Sequence, residues 1–281
     1  MISRARYVMI NGNFLPADGP CLMAGNRGFL YGEIAHRSMR AASGKAFFFD
    51  YYFDSLHDEL VQRGFRLPQL FRGKLVEHDV FLLLQKCRVY QGAWVRMSVY
   101  RDGGDGLLFG DDDSVSVMLE AWKHPHQEFV LNEVPVKISI SEDVILPESG
   151  RTMTDAGRLL RRSSNDPQHC LLFMNEHHHI VQAAGANLVL VKGRELYFPP
   201  VEALVTRDVI CDVFADTVTN AGYRIVENAI VNPYDMAGFD EVLLLDSLHG
   251  LRWIGAFGEK RYFRKQADVL CRLLVEASKT T

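Results

Sequence analysis

Two periodicities divide this chain. Tyr7 to Ile10 is a short strand-like run closed by a turn at Asn11-Gly12-Asn13. From about Tyr51 to Arg63, and again from Gly73 to Tyr90, apolar residues recur at the spacing of a helix face, and Ala93 to Tyr100 returns to a β-type run. Ser114 to Ala121 alternates apolar and polar residues like a half-buried strand. The polar segment Lys123-His124-Pro125-His126-Gln127 follows, and its proline breaks regular structure. The pattern then predicts a strand at Val134 to Ser141, a helix over Asp155 to Ser164, and apolar runs at Cys170 to Met174 and Asn187 to Val191 flanking a turn at His177 to His179. A helix from Thr206 to Ala221, strands at Tyr223 to Asn228 and Glu241 to Leu245, and a helix from Lys265 to Ala277 complete the reading. The expected architecture is a two-domain mixed α/β (α+β) protein, with a small α/β domain over 1–122, a linker over 123–133 and a larger domain over 134–281. No internal repeat or low-complexity segment interrupts it.

With 281 residues, 48% hydrophobic and 23% charged, the chain can bury a large core. Its net charge of −4 and pI near 6.2 give no general field for nucleic acid or an anionic membrane, and neither is expected as a partner. Five cysteines, Cys21, Cys87, Cys170, Cys211 and Cys271, are scattered singly without a C-x-x-C spacing, which predicts reduced thiols. Met1 to Arg6 starts no apolar run of signal-peptide length, and no 18 apolar residues occur together, so a cytoplasmic protein is expected.

Six segments carry a family resemblance. Met9-Ile10-Asn11-Gly12 reads as an opening strand and turn, Asn26-Arg27-Gly28-Phe29-Leu30-Tyr31-Gly32 as an arginine loop, and Val95 to Arg101 as the last helix-to-strand element of a small domain. Leu172 to Glu176 with Val181 to Leu188 resembles a hairpin bearing a V-x-E-x-x-x-x-N signature. Leu204-Val205-Thr206-Arg207 resembles a phosphate-gripping G-I-T-R turn, and Asp240 to Ser247 a late strand ending in a hydroxyl. In this order they resemble the class IV aminotransferases of fold type IV, a group that holds branched-chain and D-amino acid aminotransferases and aminodeoxychorismate lyase. The resemblance covers nearly the whole chain.

That resemblance implies pyridoxal phosphate, transaminase or lyase chemistry, and a homodimer. The cofactor needs a lysine for its aldehyde, a carboxylate to keep its pyridine nitrogen protonated, a phosphate cradle, and walls for its ring. By resemblance, Arg27, Val205, Thr206 and Ser247 make the cradle, which suits a dianion through a guanidinium fork and a helix N-terminus. Gln182 and Asn187 hold the cofactor positions of the hairpin, and Tyr31, His36 and Arg96 face the substrate.

Several positions depart from the family. Gln182 stands where the family has glutamate, and a neutral amide cannot keep a pyridine nitrogen protonated. Arg151, in Gly150-Arg151-Thr152-Met153-Thr154-Asp155, matches the lysine position, and a guanidinium forms no Schiff base at neutral pH. No lysine lies between Lys137 and Lys192. Leu204 replaces a glycine of the phosphate turn. Where the family reads Y-G-D-G-x-F-E-T, this chain reads Tyr31-Gly32-Glu33-Ile34-Ala35-His36-Arg37-Ser38. The site residues thus predict a more cationic pocket in which Arg27, Arg37, Arg96 and Arg151 surround an anion, with Arg151, His36 and Arg37 replacing the old machinery.

Three readings stay open. The first is a diverged homologue without Schiff-base chemistry that binds a small anionic molecule (amino acid, keto acid or chorismate-like) or runs a cofactor-independent reaction. The second is a working transaminase or 4-amino-4-deoxychorismate lyase using a displaced lysine or non-covalent pyridoxal phosphate. The third is a structural or regulatory dimer without catalysis. Whether the cofactor binds without a covalent link or not at all is open with them. No metal site is expected: three consecutive residues on a strand cannot all aim at one ion, and His177-His178-His179 reads as a surface turn.

Overall fold

A computed structural model describes residues 3–69, 71–103, 114–145, 168–200 and 207–280, without the side chains of 143–145. Arg151, Leu204, Val205, Thr206 and the helix expected over Asp155 to Ser164 lie outside the described residues. The chain divides into two compact units between Glu128 and Phe129. Lys123 and His124, placed in the expected linker, are strand residues paired with Ala93 and Gly92.

The first unit is built on one antiparallel sheet. Its strands are β1 (Ser3–Arg4), β2 (Tyr7–Ile10), β3 (Asn13–Pro16), β4 (Ile34–Ala42), β5 (Lys45–Ala46), β6 (Gly92–Arg101) and β7 (Val115–His124), in the order β3-β2-β7-β6-β4-β5 with β1 also on β7. Helix α1 (Arg27–Tyr31) precedes β4, and α2 (Phe49–Gln62) and α3 (Gly73–Lys86) cover one face. The helical spacing of Phe49, Tyr52, Phe53, Leu56 and Leu60 turns one stripe of α2 inward, and Val76, Val80, Leu83 and Leu84 do the same for α3. Against them lie the alternate sheet residues Met39, Ala41, Val95, Met97, Val99 and Leu119, all buried. The sequence reading missed β4, a nine-residue strand, because IAHRSMRAA alternates only weakly between apolar and polar.

The second unit holds β8 (Val136–Ile145), β9 (His169–Asn175), β10 (Ile180–Ala183), β11 (Asn187–Lys192), β12 (Glu195–Tyr197), α4 (Ile210–Asn220), β13 (Arg224–Val226), β14 (Glu241–Asp246), β15 (Gly250–Phe257), β16 (Lys260–Arg261) and α5 (Lys265–Thr280). The sheet order is β10-β9-β8-β15-β14-β11-β12-β13, with β16 on β15. A bridge between Ala183 and Ala186 returns β10 against the start of β11. One face encloses a core of Val136, Leu172, Ile180, Leu188, Leu244 and Ile254 among others. Helices α4 and α5 pack on β14 from outside the cluster's strands, which is why its run of leucines is buried throughout. Helix α4 begins at Ile210 rather than at Thr206 as the periodicity predicts, with Val209 at its N-cap and the Asp208 side chain accepting from the Ile210 N–H just ahead of it. No helix among the described residues is long and apolar enough to cross a membrane.

Gly92 is the tightest close approach in the first unit. A Cβ there would lie 1.8 Å from the His126 carbonyl oxygen, and backbone cannot yield cheaply. Gly92→Ala is therefore expected to lower the urea midpoint by the equivalent of about 3 kcal/mol. Gly238→Ala, where nothing lies within 4 Å, should stay within about 0.5 kcal/mol of wild type.

Candidate functional site

The segment read as an arginine loop folds as α1. Asn26 caps it by accepting from the Phe29 N–H at 2.9 Å, and Gly32 closes it in the left-handed conformation that favours glycine. The Asn26 amide also donates to Asp102, and the Arg27 N–H donates to the Asp102 carbonyl, so the helix is pinned to the end of β6. Arg27 is buried, and its guanidinium donates to both oxygens of Glu33 at 2.7 and 3.0 Å. Gly103 leaves room for the arginine stem: a Cβ there would come within 2.3 Å of the Arg27 Cδ. The residue expected to grip a phosphate is thus held by a carboxylate from its own chain.

Strand alternation separates two residues that the sequence reading grouped together. His36 pairs with Ser98, Ser38 with Arg96, and Arg96 with Glu120, so these five share one face of the sheet. Arg37 points to the other face, where it donates to Glu59 at 2.7 Å and to the Ser55 hydroxyl and carbonyl on α2. On the His36 face, Arg96 donates through Nε and Nη2 to one oxygen of Glu120, at 2.8 and 2.5 Å, while Arg4 takes the other at 2.6 Å. Glu120 is buried, whereas Arg96 and Arg4 are 39% and 48% exposed, so two guanidiniums share one carboxylate and leave an outward-facing excess of one positive charge. The Arg96 guanidinium also lies over the Trp122 ring at 5.1 Å. Arg4, with Cys21, Leu22, Met23, Phe29 and Met118, lines a mostly apolar cavity of about 540 Å³. Tyr31 is exposed on α1.

The second unit carries the hairpin and the late strand. Gln182 sits half-buried beside a bulge between Ile180 and Gln182, opposite Phe173. Asn187 opens β11 opposite Leu245 and reaches the Leu245 carbonyl at 3.5 Å. Ser247 follows β14, and both its N–H (2.9 Å) and its hydroxyl donate to Asp208. Burial pushes the Asp208 carboxyl above the usual carboxylate range, more than the bonds from Ser247 pull it down. Next to Ser247, Asp246 is buried and bonded by the His249 ring at 2.9 Å and Arg252 at 3.0 Å; these outweigh its burial and hold it below the usual range. As built, the donors described around Ser247 do not fit a phosphate dianion, since a carboxylate already takes them and a second lies beside it.

Sequence reasoning missed Glu33, Glu120, Asp208 and Asp246. Only Asp208 carried a local signal, an N-cap residue type just ahead of the apolar pattern of α4. His177 to His179 occupy a turn between β9 and β10, where the Asn175 side chain accepts from the His177 and His179 N–H groups. Cys87, Cys170, Cys211 and Cys271 are buried, Cys21 is partly exposed, and all are free thiols.

Two expectations follow. Packing around the ring, then the charges of Arg96 and Arg37, hold the His36 pKa below the ordinary histidine value even though the residue is exposed by area. A lowered folded pKa means that the neutral form is the one favoured by folding. Its contribution is complete above about pH 6.5 and is lost as pH falls toward the folded pKa. An NMR titration should place His36 below about 6.5, and Arg96→Gln should raise it; a wild-type midpoint at or above that value would contradict the assignment. Separately, Glu33→Gln, which removes the charge opposite buried Arg27, should cost about 1–3 kcal/mol in urea unfolding.

The comparisons bear on the family and the fold. The family model Amino-transferase class IV matches residues 38–257. An aminotransferase from Brucella abortus, solved with the cofactor PLP, is 17% identical with a TM-score of 0.81, covering 98% of this chain and 100% of that one. A branched-chain aminotransferase from Thermoproteus uzoniensis, solved with norvaline, is 13% identical with a TM-score of 0.80, covering 98% and 97%. A Legionella pneumophila protein given as a candidate 4-amino-4-deoxychorismate lyase is 17% identical with a TM-score of 0.78, covering 93% and 97%. No curated protein sequence matches. These likenesses establish the fold, that of the type IV pyridoxal-phosphate enzymes, and a family match running from Ser38 in β4 to Phe257 at the end of β15 shows that the chain belongs to the class IV aminotransferase family.

Proposed function

We propose that this class IV aminotransferase-family chain does not form a Schiff base with pyridoxal phosphate, and that it uses the scaffold to bind a small carboxylate-bearing molecule such as an amino acid, a keto acid or a chorismate-like compound. The carrying observation is the absence of lysine between Lys137 and Lys192, an interval that includes Arg151 at the position matching the family's lysine. A guanidinium stays protonated and cannot supply the nucleophilic amine. The flanking lysines do not compensate. Lys137 is exposed and points away from the side of β8 that carries Val136 and Ile138 into the core, and Lys192 is exposed at the last residue of β11.

For the ligand, support comes from the first unit. The Arg4–Glu120–Arg96 group keeps an outward positive charge, and Arg96 shares its sheet face with His36. Arg96 would receive a ligand carboxylate through a guanidinium already fixed in orientation by Glu120 and Trp122. The neutral imidazole of His36 can accept a proton or a hydrogen bond nearby. Relatives of similar fold were solved with norvaline and with PLP, which keeps an amino acid or keto acid foremost among the candidates. The exposed apolar side chains of Met23, Phe29, Leu30 and Tyr31 favour a homodimer, and the free thiols fit a cytoplasmic protein.

Borohydride reduction after incubation with pyridoxal phosphate tests the first half of this reading. No pyridoxyl group should remain on the protein by mass spectrometry, while a lysine adduct mapped to one site would refute it. Arg96→Gln should weaken binding of a carboxylate ligand such as norvaline at least about tenfold in calorimetry.

A further inference from the structure

The connection between β3 and α1 and the adjoining edge of the sheet line the cavity of about 540 Å³, a volume within the range of small-molecule sites. Its walls are apolar: Val8 on β2, Met118 on β7, Leu22 on the connection and Phe29 on α1. Among the described residues that line it, only Arg4 carries a charge. The connection is fixed at both ends. The Ala17 N–H donates to the Arg6 carbonyl, the Asn26 N–H donates to the Met23 carbonyl, and the Asn26 amide holds α1 to Asp102. Apolar walls that face a void forgo the dispersion contacts an apolar occupant would restore. Arg4 and Arg96 also differ in what they have left to give. Arg96 commits both Nε and Nη2 to one oxygen of Glu120, whereas Arg4 makes a single hydrogen bond among the described residues, from Nη2 to the other oxygen. The Arg4 guanidinium is thus held at one corner by a buried carboxylate, with Nε and Nη1 still to place and its side chain 48% exposed.

We propose that this cavity takes the apolar tail of a monocarboxylic acid whose carboxylate is received by Arg4. The inference rests on the preceding reading of the Arg4–Glu120–Arg96 group as a carboxylate receiver, and it deepens that reading by naming the body of the ligand and the arginine that meets it. Glu120 is buried and shared by both guanidiniums, so one positive charge remains for an anion arriving from outside. Two donors on one planar group suit a carboxylate, and Arg4 has kept them where Arg96 has spent its own. The walls then decide what the acid carries behind its carboxylate. A second carboxylate or an ammonium on the tail would lose hydration among Val8, Leu22, Phe29 and Met118 with no ion partner on those walls, whereas methylenes or a ring would gain from burial there. The polar side chain nearest the tail is the Cys21 thiol, which is turned toward the Gly19 carbonyl at 3.4 Å.

The test uses the full chain and the straight-chain acids acetate, butyrate and hexanoate, titrated by calorimetry at matched ionic strength. Affinity should rise along the series by about fourfold for each added methylene. Hexanamide, with the same tail and no charge, should bind at least about tenfold more weakly than hexanoate, and Arg4→Gln should bring hexanoate down to the hexanamide level. Leu22→Asp, at a position 43% exposed on the connection, puts a carboxylate on the wall and should remove the gain with chain length. Met118→Trp fills the cavity from the sheet side and gives the same reading if Leu22→Asp fails to fold. Equal affinity across the three acids would overturn the inference, as would hexanoate binding that Arg4→Gln leaves intact. A dimer broken by Leu22→Asp, in a wild type indifferent to chain length, would assign the cavity to a second copy and overturn it too. Failure here is separable from failure of the preceding reading. Norvaline binding lost in Arg96→Gln beside a flat acid series sinks only this inference, and hexanoate held through Arg4 but untouched by Arg96→Gln sinks only the assignment to Arg96.

Discussion

Strand β14 is the constraint on which the second unit depends, because both of its ends are tied by carboxylates to the first turns of helices. At its start, Glu241 accepts from the Gln266 and Ala267 N–H groups at 2.6 and 2.8 Å and so docks the first turn of α5. Beyond its end, Ser247 donates to Asp208, whose side chain also accepts from the Ile210 N–H at the start of α4. Between these points Val242 to Leu245 are fully buried, with the core cluster on one side and the two helices on the other. The helices are thereby positioned by ionic and hydrogen-bonded contacts at the strand's ends as well as by apolar area along it. A helix N-terminus leaves its first N–H groups without partners inside the helix, and at each of these two a carboxylate takes some of them.

The first unit follows the same rule with arginines. Arg27, Arg37 and Arg96 were expected to gather around an anion, yet each has a glutamate: Glu33, Glu59 and Glu120. Internal pairing of this kind removes most of the charge a ligand would feel and fixes each guanidinium in place. The exception is the Arg96 side of the sheet, where Arg4 joins the same carboxylate and the balance stays positive. Ligand recognition is therefore argued from this group and not from a ring of arginines, and Arg37 drops out because strand alternation aims it at α2.

Much of the architecture was legible because it rests on periodicity. The stripes that define α2 and α3, the runs that become β6, β9, β11 and β14, and the terminal helix are set by apolar spacing that sequence carries directly. The family resemblance was legible because it lies in short ordered motifs. Three kinds of feature were not. Strand β4 hides behind His36, Arg37 and Arg40, charged or polar residues whose partners are distant in sequence. The loop around Arg27 is a helix because Asn26 and Gly32 cap so short a segment. And the pairings Arg27–Glu33, Arg96–Glu120 and Asp208–Ser247 link residues up to 39 positions apart or on facing strands, which no local pattern encodes.

Three carboxylates of the second unit, buried Glu241 and Asp246 and half-buried Asp208, differ in how the fold treats their charge. Asp246 is depressed because fixed cations, His249 and Arg252, surround it, so its ionised form adds to stability above the ordinary carboxylate range and loses that contribution as pH falls. Burial raises Glu241 and Asp208, so for each the ionised form is the less favoured one in the fold. Glu241 has a structural reason for being there, since two N–H groups of α5 have no other acceptor so well placed. Asp208 is different. Its carboxyl takes both donors of Ser247 and the Ile210 N–H, so it ties the end of β14 to the start of α4 through hydrogen bonds whose number offsets part of the cost of its burial.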